Sequence, residues 1–187
     1  MVTLNKIYTK TGDEGKTSLG NGARTEKFSL RVKTYGSIDE LNSNVGVAAH
    51  YADKTLQTNL KNIQNDLFDL GADIATPETN KPALRITASQ VRRLEAEIDM
   101  INDDLEPLDS FILPGGNAAS AWLHLARTVT RRAERRMTEL AAEEVVNQAA
   151  MHYANRLSDH LFVLARRLNN NGKADIEWRP GENSRQN

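Results

Sequence analysis

The sequence predicts an all-α protein, an up-and-down bundle of five helices behind an irregular N-terminal segment. Apolar residues recur at three- and four-residue steps from residue 35 to about residue 170, and loops rich in proline and glycine divide them into five stretches. No strand alternates with helix, as a parallel sheet would require. The 187 residues suit one domain, with segment 1–34, bundle 35–170 and a disordered tail over 181–187.

The five helices are predicted from the apolar stripe that each stretch would bury. Their approximate bounds are 35–52, 55–75, 87–102, 118–142 and 144–169. Ser37 is the predicted N-cap of the first helix, because it directly precedes the first apolar position. In the last helix Phe162 falls on the polar side with Asn155 and Asp159. A large aromatic residue there indicates a second contact surface, so we expect self-association.

Composition excludes several classes of protein. The net charge of −1 gives no reason to expect nucleic acid or an acidic membrane as a partner. No apolar run is long enough to cross a bilayer, and "MVTLNKIYTK" lacks the apolar region of a secretory signal. Cysteine is absent, which excludes disulfides and thiolate chemistry. We therefore expect a cytoplasmic protein.

The N-terminal stretch "YTKTGDEGKTSLGNG" is close to a nucleotide-binding P-loop but departs from it in two ways. Lys10 stands where the first glycine of that motif belongs, and turn residues follow where a helix should begin. Two interpretations are left. The stretch is either a hydrophilic hairpin between two short strands or a cradle for phosphate, built from flexible glycine backbone, hydroxyls and amines. The cradle would use Thr9, Lys10, Thr11, Gly12, Gly15, Lys16, Thr17 and Ser18.

The predicted fourth helix carries five arginines within "RTVTRRAERR". At 100° per residue, Arg127, Arg131 and Arg135 form one ridge, and Arg132 and Arg136 form another. A solvated basic face would explain them. A site for phosphate or carboxylate would explain them equally well, since the guanidinium fork makes bidentate contacts with such groups.

The loop "SFILPGG" presents an alternative of the same kind. Its apolar residues, beginning with Phe111, either plug the end of the core or form an apolar wall for a bulky ligand. The four histidines show no spacing typical of a metal site, and each is interpreted as structural.

Five motifs together resemble one known family, the PduO-type ATP:cob(I)alamin adenosyltransferases. They are "YTKTGDEGKTSL", "YGSIDELNS", "FILPGG", "RTVTRRAERR" and "NRLSDHLFVLAR", in the order of that family and from Lys6 to about Arg167. The resemblance implies a homotrimer of five-helix bundles with active sites between subunits. It also implies transfer of the 5′-deoxyadenosyl group from ATP to the cobalt of reduced cobalamin, with release of triphosphate.

The same resemblance implies a role for particular residues. The ATP-binding residues would be Tyr8, Thr9, Lys10, Thr11, Gly12, Asp13, Gly15, Lys16, Thr17, Ser18, Lys27, Arg131, Arg132, Glu134, Arg135 and Asn155. Asp39 and Arg127 would meet across the subunit boundary, and Phe111 would displace the lower axial ligand of the corrinoid. The proposed catalytic set is therefore Arg131, Asp39, Arg127 and Phe111.

These residue types suit the implied reaction. Co(I) is a strong nucleophile that needs no enzymatic base, whereas the triphosphate leaving group needs fixed positive charge, with Mg²⁺ on the phosphates. A reductase and a cobalamin-dependent acceptor enzyme are further candidate partners. Two other functions stay open from the residues alone: a non-enzymatic bundle that binds an acidic partner through its arginines, and a kinase that acts at the γ-phosphate of ATP.

Overall fold

The computed structural model describes residues 6–77 and 82–184. It contains α1 (Leu30–His50), α2 (Lys54–Ala75), α3 (Ala88–Asn102), α4 (Ala118–Glu143) and α5 (Gln148–Leu168). Two short strands, β1 (Lys16–Ser18) and β2 (Arg24–Glu26), pair antiparallel ahead of α1. The predicted all-α bundle of five helices is confirmed. Within the described ranges, no helix is long and apolar enough to cross a membrane.

Successive helices run in alternating directions. Arg31 near the start of α1 contacts Glu144 just beyond the end of α4, and Glu40 further along α1 contacts Arg132, so these two helices are antiparallel. α4 packs between α1 and α5, while α2 lies against α1 and α3 lies against α5. This arrangement places α1, α4 and α5 side by side, with the arginines of α4 between the outer two.

The core consists of the apolar stripes that the sequence predicts. Ile38, Leu41, Val45 and Ala48 of α1 are all buried, and the equivalent stripes of α2, α4 and α5 face them. Tyr153 of α5 is the largest fully buried side chain among the described residues.

A polar network joins α2, α3 and α5 beside this core. The Tyr153 hydroxyl donates to a carboxylate oxygen of Asp66 at 2.8 Å, and Arg93 of α3 pairs with the same carboxylate. Burial, together with Asp66, raises the pKa of Tyr153 well above its usual value. The hydroxyl is therefore a permanent donor that fixes α5 against α2.

Two predicted helix starts are wrong. α1 begins at Leu30 with Ser29 as its N-cap, and the Ser37 hydroxyl lies inside the helix, where it donates to the carbonyl of Lys33. α5 begins at Gln148, after an N-cap at Asn147 whose side chain accepts from the backbone N–H of Ala149.

The early start of α1 has a specific cause. Arg31 is buried and hydrogen-bonds both Glu144 and the carbonyl of Ile74, so a charged residue occupies a core-facing position of the first turn. A pattern of apolar residues cannot reveal such a turn, because the buried residue is polar. Glu144, predicted to open α5, instead lies in the connection that receives this arginine.

The predicted disordered tail is only partly covered. Residues 181–184 form an exposed turn, and residues 185–187 lie outside the described residues. Ahead of that turn, the chain from 175 to 178 runs back along the loop that follows α3: the N–H of Leu113 donates to Ile176 and the N–H of Trp178 donates to Phe111, both at 2.7 Å.

Candidate active site

The N-terminal segment folds as a turn-rich loop followed by a hairpin, not as a P-loop. β1 leads into a tight turn closed by the N–H of Leu19 donating to the carbonyl of Ala23 at 2.8 Å, whereas a P-loop would continue into a helix. The hairpin interpretation of the sequence is therefore confirmed. It does not exclude the phosphate cradle, because the loop ahead of β1 carries most of the residues proposed for it.

Basic side chains fold the loop ahead of β1 back onto the hairpin. Arg24 donates to the carbonyl of Thr11 at 2.7 Å and to the Ser18 hydroxyl at 3.2 Å. The ammonium group of Lys27 lies over Gly12, so near that a Cβ at this glycine would be 3.1 Å from Nζ. Gly15 has a φ of +82°, which favours glycine. The loop therefore presents hydroxyls, backbone and an ammonium group within one small region.

The hairpin is anchored at one end of the bundle. The N–H of Gly20 donates to the carbonyl of Ala75, the last residue of α2, at 2.8 Å. Just before this residue, the buried Asp73 accepts from Arg85, from the N–H of Ile86 and from Asn147 at 2.7 to 2.8 Å. These contacts fix the end of α2, and with it the position of the hairpin.

The two arginine ridges of α4 have different environments. Arg132 pairs with Glu40, and Arg136 donates to the carbonyl of Lys33 and to the Ser37 hydroxyl, so this ridge fastens α4 to α1. Arg132, assigned to ATP by resemblance, is therefore in an ion pair within the chain. That pair is partly exposed, and such pairs contribute only about 1 kcal/mol or less. A phosphate could compete with Glu40 for the guanidinium.

The other ridge has no such partners. Arg131 and Arg135 are exposed, and no hydrogen bond or ion pair between described residues engages them. Arg127 is half-buried, with its guanidinium 5.9 Å from the centre of the Phe162 ring and its Nε unpaired. Burial and the neighbouring Arg131 lower the pKa of Arg127. This ridge carries unbalanced positive charge suited to an anion.

Glu134 and Asn155 are brought together, as the resemblance implies. The Asn155 amide donates to Glu134 at 2.8 Å and accepts from Arg156 at 2.6 Å, and Arg156 also pairs with Glu95 of α3 at 2.9 Å. The chain of contacts links α4, α5 and α3 beside Arg131. Arg156 was missed at the sequence level, although its position next to Asn155 could have indicated it.

Asp159 is a second residue that the sequence reasoning did not assign to the site. Burial raises the pKa of its carboxyl, against the opposing effects of Arg156 and Arg131. The carboxyl is therefore within electrostatic range of Arg131, although no hydrogen bond or ion pair joins the two among the described residues.

Asp39 and Arg127 do not meet within the chain. Asp39 is exposed on α1, between Ser37 and Glu40, which contact Arg136 and Arg132. Asp39 therefore lies opposite residue 133 of α4. That position is six residues from Arg127, or about 9 Å along the axis of α4 at 1.5 Å per residue. Arg127 also faces α5, not α1. Any contact between the two residues must come from another copy of the chain.

Phe111, in the loop between α3 and α4, is 77% exposed. It lies on an apolar cavity of about 690 Å³ whose wall also includes His124, Arg127, Phe162 and Trp178. The Phe111 and Trp178 rings are 6.1 Å apart, and the backbone pairing with residues 176–178 holds the loop in place. Phe111 therefore borders this cavity and does not plug the core. Trp178 was not predicted, since a lone aromatic beyond the last helix has no periodic pattern.

No group of three or more histidine and carboxylate side chains in the described ranges could hold a metal ion. Asp13 and Glu14 are exposed beside the glycine loop.

Comparison with known proteins identifies this arrangement. A sequence model described as cobalamin adenosyltransferase matches residues 7–168. The chain belongs to the cobalamin adenosyltransferase family. It is 46% identical to a corrinoid adenosyltransferase of Mycobacterium leprae over 96% of this chain and 98% of that protein. It is 44% identical to a corrinoid adenosyltransferase of Bacillus subtilis over 92% of each.

Solved structures agree with this assignment. A variant PduO-type ATP:corrinoid adenosyltransferase from Lactobacillus reuteri, complexed with cobalamin and ATP, superimposes with a TM-score of 0.88. It is 38% identical in sequence, and the match covers 93% of this chain and 99% of that one. This adenosyltransferase is therefore an enzyme that transfers an adenosyl group from ATP to a corrinoid.

Proposed function

We propose that this adenosyltransferase works as a homotrimer, in which the N-terminal segment of one protomer and the Arg131 ridge of the next hold the same ATP. The reaction moves the 5′-deoxyadenosyl group to the cobalt of cob(I)alamin and releases triphosphate. The observation that carries the proposal is the separation of these two elements within one chain.

The separation follows from the contacts at the ends of the helices. The hairpin is anchored to Ala75, and the carbonyl of Ile74 beside it accepts from Arg31, which also pairs with Glu144. The hairpin therefore lies at the end of the bundle where α4 terminates. Arg131 is thirteen residues before Glu144, about 20 Å along the axis at 1.5 Å per residue. A triphosphate is too short to span that distance, whereas an adjacent protomer could present its hairpin to Arg131.

The side chains supply electrostatic and positioning effects. Co(I) attacks the ribose C5′ with its own electron pair while the C5′–O bond breaks, so negative charge grows on the triphosphate. Arg131, Arg135 and Lys27 would stabilise that charge, since fixed cations need no reorganisation during the reaction. Glu134 and Asn155 would keep the ATP-facing surface of α4 and α5 in register. Magnesium would neutralise further charge on the phosphates.

Phe111 has a separate role beneath the corrin ring. An exposed phenyl group in an apolar cavity would exclude water and the lower axial ligand from the cobalt. Without an axial donor, the cobalt orbital that accepts the electron lies lower in energy, and reduction of Co(II) to Co(I) becomes easier. Asp39 and Arg127 would complete the subunit boundary, since each lacks an ion-pair partner in its own chain among the described residues.

The activity is tested by anaerobic incubation with ATP and chemically reduced cobalamin. We expect the adenosylcobalamin spectrum to appear with one triphosphate per product. Release of ADP in its place would indicate a kinase. Sedimentation should show a trimer at micromolar concentration, and a monomer at all concentrations would contradict the shared site. We place the reaction in the cytoplasm, with a reductase and a cobalamin-dependent acceptor as partners.

A further inference from the structure

Arg166 of α5 and Asp175, just beyond the end of that helix, form an ion pair that is buried on both sides. Nε of Arg166 lies 2.9 Å from Oδ2 of Asp175, and the two side chains are 6% and 4% exposed. Apolar residues of similar volume often stabilise a fold as well as a buried ion pair does, because both charges must be removed from water. Stability alone therefore does not explain the pair, whereas a charged hydrogen bond fixes distance and direction.

The ion pair lies where the chain reverses direction after α5. The N–H of Gly172 donates to the carbonyl of Arg166 at 2.8 Å, which closes the turn. The Asn169 amide donates to Oδ1 of Asp175 at 3.0 Å, while Arg166 donates to Oδ2. Both oxygens of the carboxylate are therefore bound to the end of α5. They fix the first residue of the C-terminal strap, which comprises residues 175–178.

The strap in turn holds the loop that carries Phe111. The N–H of Trp178 donates to the carbonyl of Phe111 at 2.7 Å, and the Ser110 hydroxyl donates to the carbonyl of Trp178 at 3.0 Å. Arg166 also contacts this loop directly, since its Nη2 donates to the carbonyl of Glu106 at 2.9 Å. Because the Phe111 side chain is mostly exposed, its own packing does little to fix it, and the backbone contacts of the loop must do so.

We propose that Asp175 is a positioning residue for adenosyl transfer, which sets the position of Phe111 in its cavity through Arg166 and the strap. The proposal rests on the role given to Phe111 under the proposed function, the exclusion of the lower axial ligand from cobalt. A phenyl group excludes that ligand only while it stays close to the metal. Misplacement by about 1 Å in a reactive site can lower a rate by about 100-fold.

The test changes the ion pair in the full-length enzyme saturated with ATP. Arg166→Met combined with Asp175→Leu leaves no unpaired charge, so the melting temperature should stay within about 5 °C of that of the unmodified enzyme. Glu106 is exposed, so water can bond its freed carbonyl. Hydrogen exchange at the amides of Leu113 and Trp178 should become about tenfold faster, because the strap opens more often. Asp175→Glu is the second variant: it keeps the ion pair but shifts the strap by about 1.5 Å, one carbon–carbon bond.

Two readouts separate positioning from stability. Nitrogen splitting in the electron paramagnetic resonance spectrum of Co(II) cobalamin reports the lower base on cobalt, and both variants should show at least about threefold more of it than the unmodified enzyme. With Co(II) cobalamin and a reductant, kcat should fall about tenfold while KM for ATP stays unchanged. Glu182→Gln, which removes an exposed ion pair with Arg179 beyond the strap, is the matched control and should change neither.

Normal splitting and normal kcat in the folded double variant would overturn the proposal, because the ion pair would then serve the fold alone. A parallel loss of kcat and ATP affinity would also overturn it, since a general loosening of the chain would explain both. If the double variant does not fold, the same two criteria apply to Asp175→Glu. Full splitting in the unmodified enzyme would show that the role given to Phe111 is itself wrong, and the proposal would fail with it.

Discussion

Gly20 offers a direct test of how the N-terminal segment is positioned. Its N–H donates to Ala75, and its Cα approaches the end of α2 closely. A Cβ at this position would overlap the Thr76 hydroxyl and lie 3.2 Å from the Thr76 Cβ and 3.4 Å from the carbonyl of Ala75. Gly20→Ala should therefore push the hairpin away from the bundle without disturbing the core.

The size of the effect follows from the overlap. Forcing a methyl group into a well-packed contact costs about 1–3 kcal/mol. If the displaced hairpin must return to its place when ATP binds, ATP affinity falls by about 5- to 150-fold. The midpoint of thermal unfolding should fall by much less than a core substitution would cause, because the hairpin contributes none of the buried stripes.

The assay is ATP binding by calorimetry, together with thermal unfolding. Gly71→Ala is the matched control: it lies in α2, where a Cβ would meet only Ile38 at an ordinary 3.9 Å. It should leave ATP affinity unchanged and stabilise the helix by about 0.5–1 kcal/mol. Adding Thr76→Ala to Gly20→Ala removes the overlapping hydroxyl and should restore most of the affinity. Normal ATP binding by Gly20→Ala alone would refute the idea that this contact positions the hairpin.

Two further substitutions test other parts of the site, and a third tests the contact between α3 and α5. Arg131→Lys keeps the charge but loses the bidentate fork, so ATP affinity and kcat should both fall by about tenfold or more. Wild-type values of both would show that Arg131 is not a phosphate ligand. Phe111→Ala should lower kcat by more than about tenfold with almost unchanged ATP affinity, measured by stopped-flow adenosylation and calorimetry. Glu97→Gln tests pH dependence, because the hydrogen bond from His160 lowers the pKa of Glu97 in the folded protein. The carboxylate therefore stabilises the fold fully above its unfolded pKa of about 4.3. That stabilisation is lost as the pH falls through the lower pKa of the folded state. The melting temperature of this variant should be lower than that of the wild type at pH 7 and should converge with it below about pH 4, whereas a constant difference would contradict the assignment.

The helices with strong local signals were predictable from the sequence. α2, α3 and α4 begin within a residue or two of their predicted starts, because polar caps stand directly before apolar stripes. Asp53 and Asn117 each accept from a backbone N–H of the first turn, and Thr87 shares a capping box with Gln90. The first turn of α1 was not predictable, because the buried Arg31 is paired with Glu144, which lies 113 positions later in the sequence.

The types of residue that form the site could be predicted from the sequence, but the contacts that each of them makes could not. Periodicity separates the arginines of α4 into two ridges, yet it cannot tell which ridge contacts α1. The structure shows that Arg132 and Arg136 do so, while Arg127, Arg131 and Arg135 do not. Long-range contacts of this kind depend on how helices pack, which a single sequence does not encode locally.

The separation of hairpin and arginine ridge permits a complementation test of the shared site. One variant, Lys27→Ala, has a defective hairpin and an intact ridge; the other, Arg131→Ala, has the reverse. In trimers formed after mixing and reassociation at equal amounts, about one quarter of the interfaces join an intact hairpin to an intact ridge. Activity should then rise to about a quarter of the wild-type value, although each variant alone is inactive. A site built within one protomer cannot be repaired in this way, so absence of recovery in verified mixed trimers would refute a site shared between subunits.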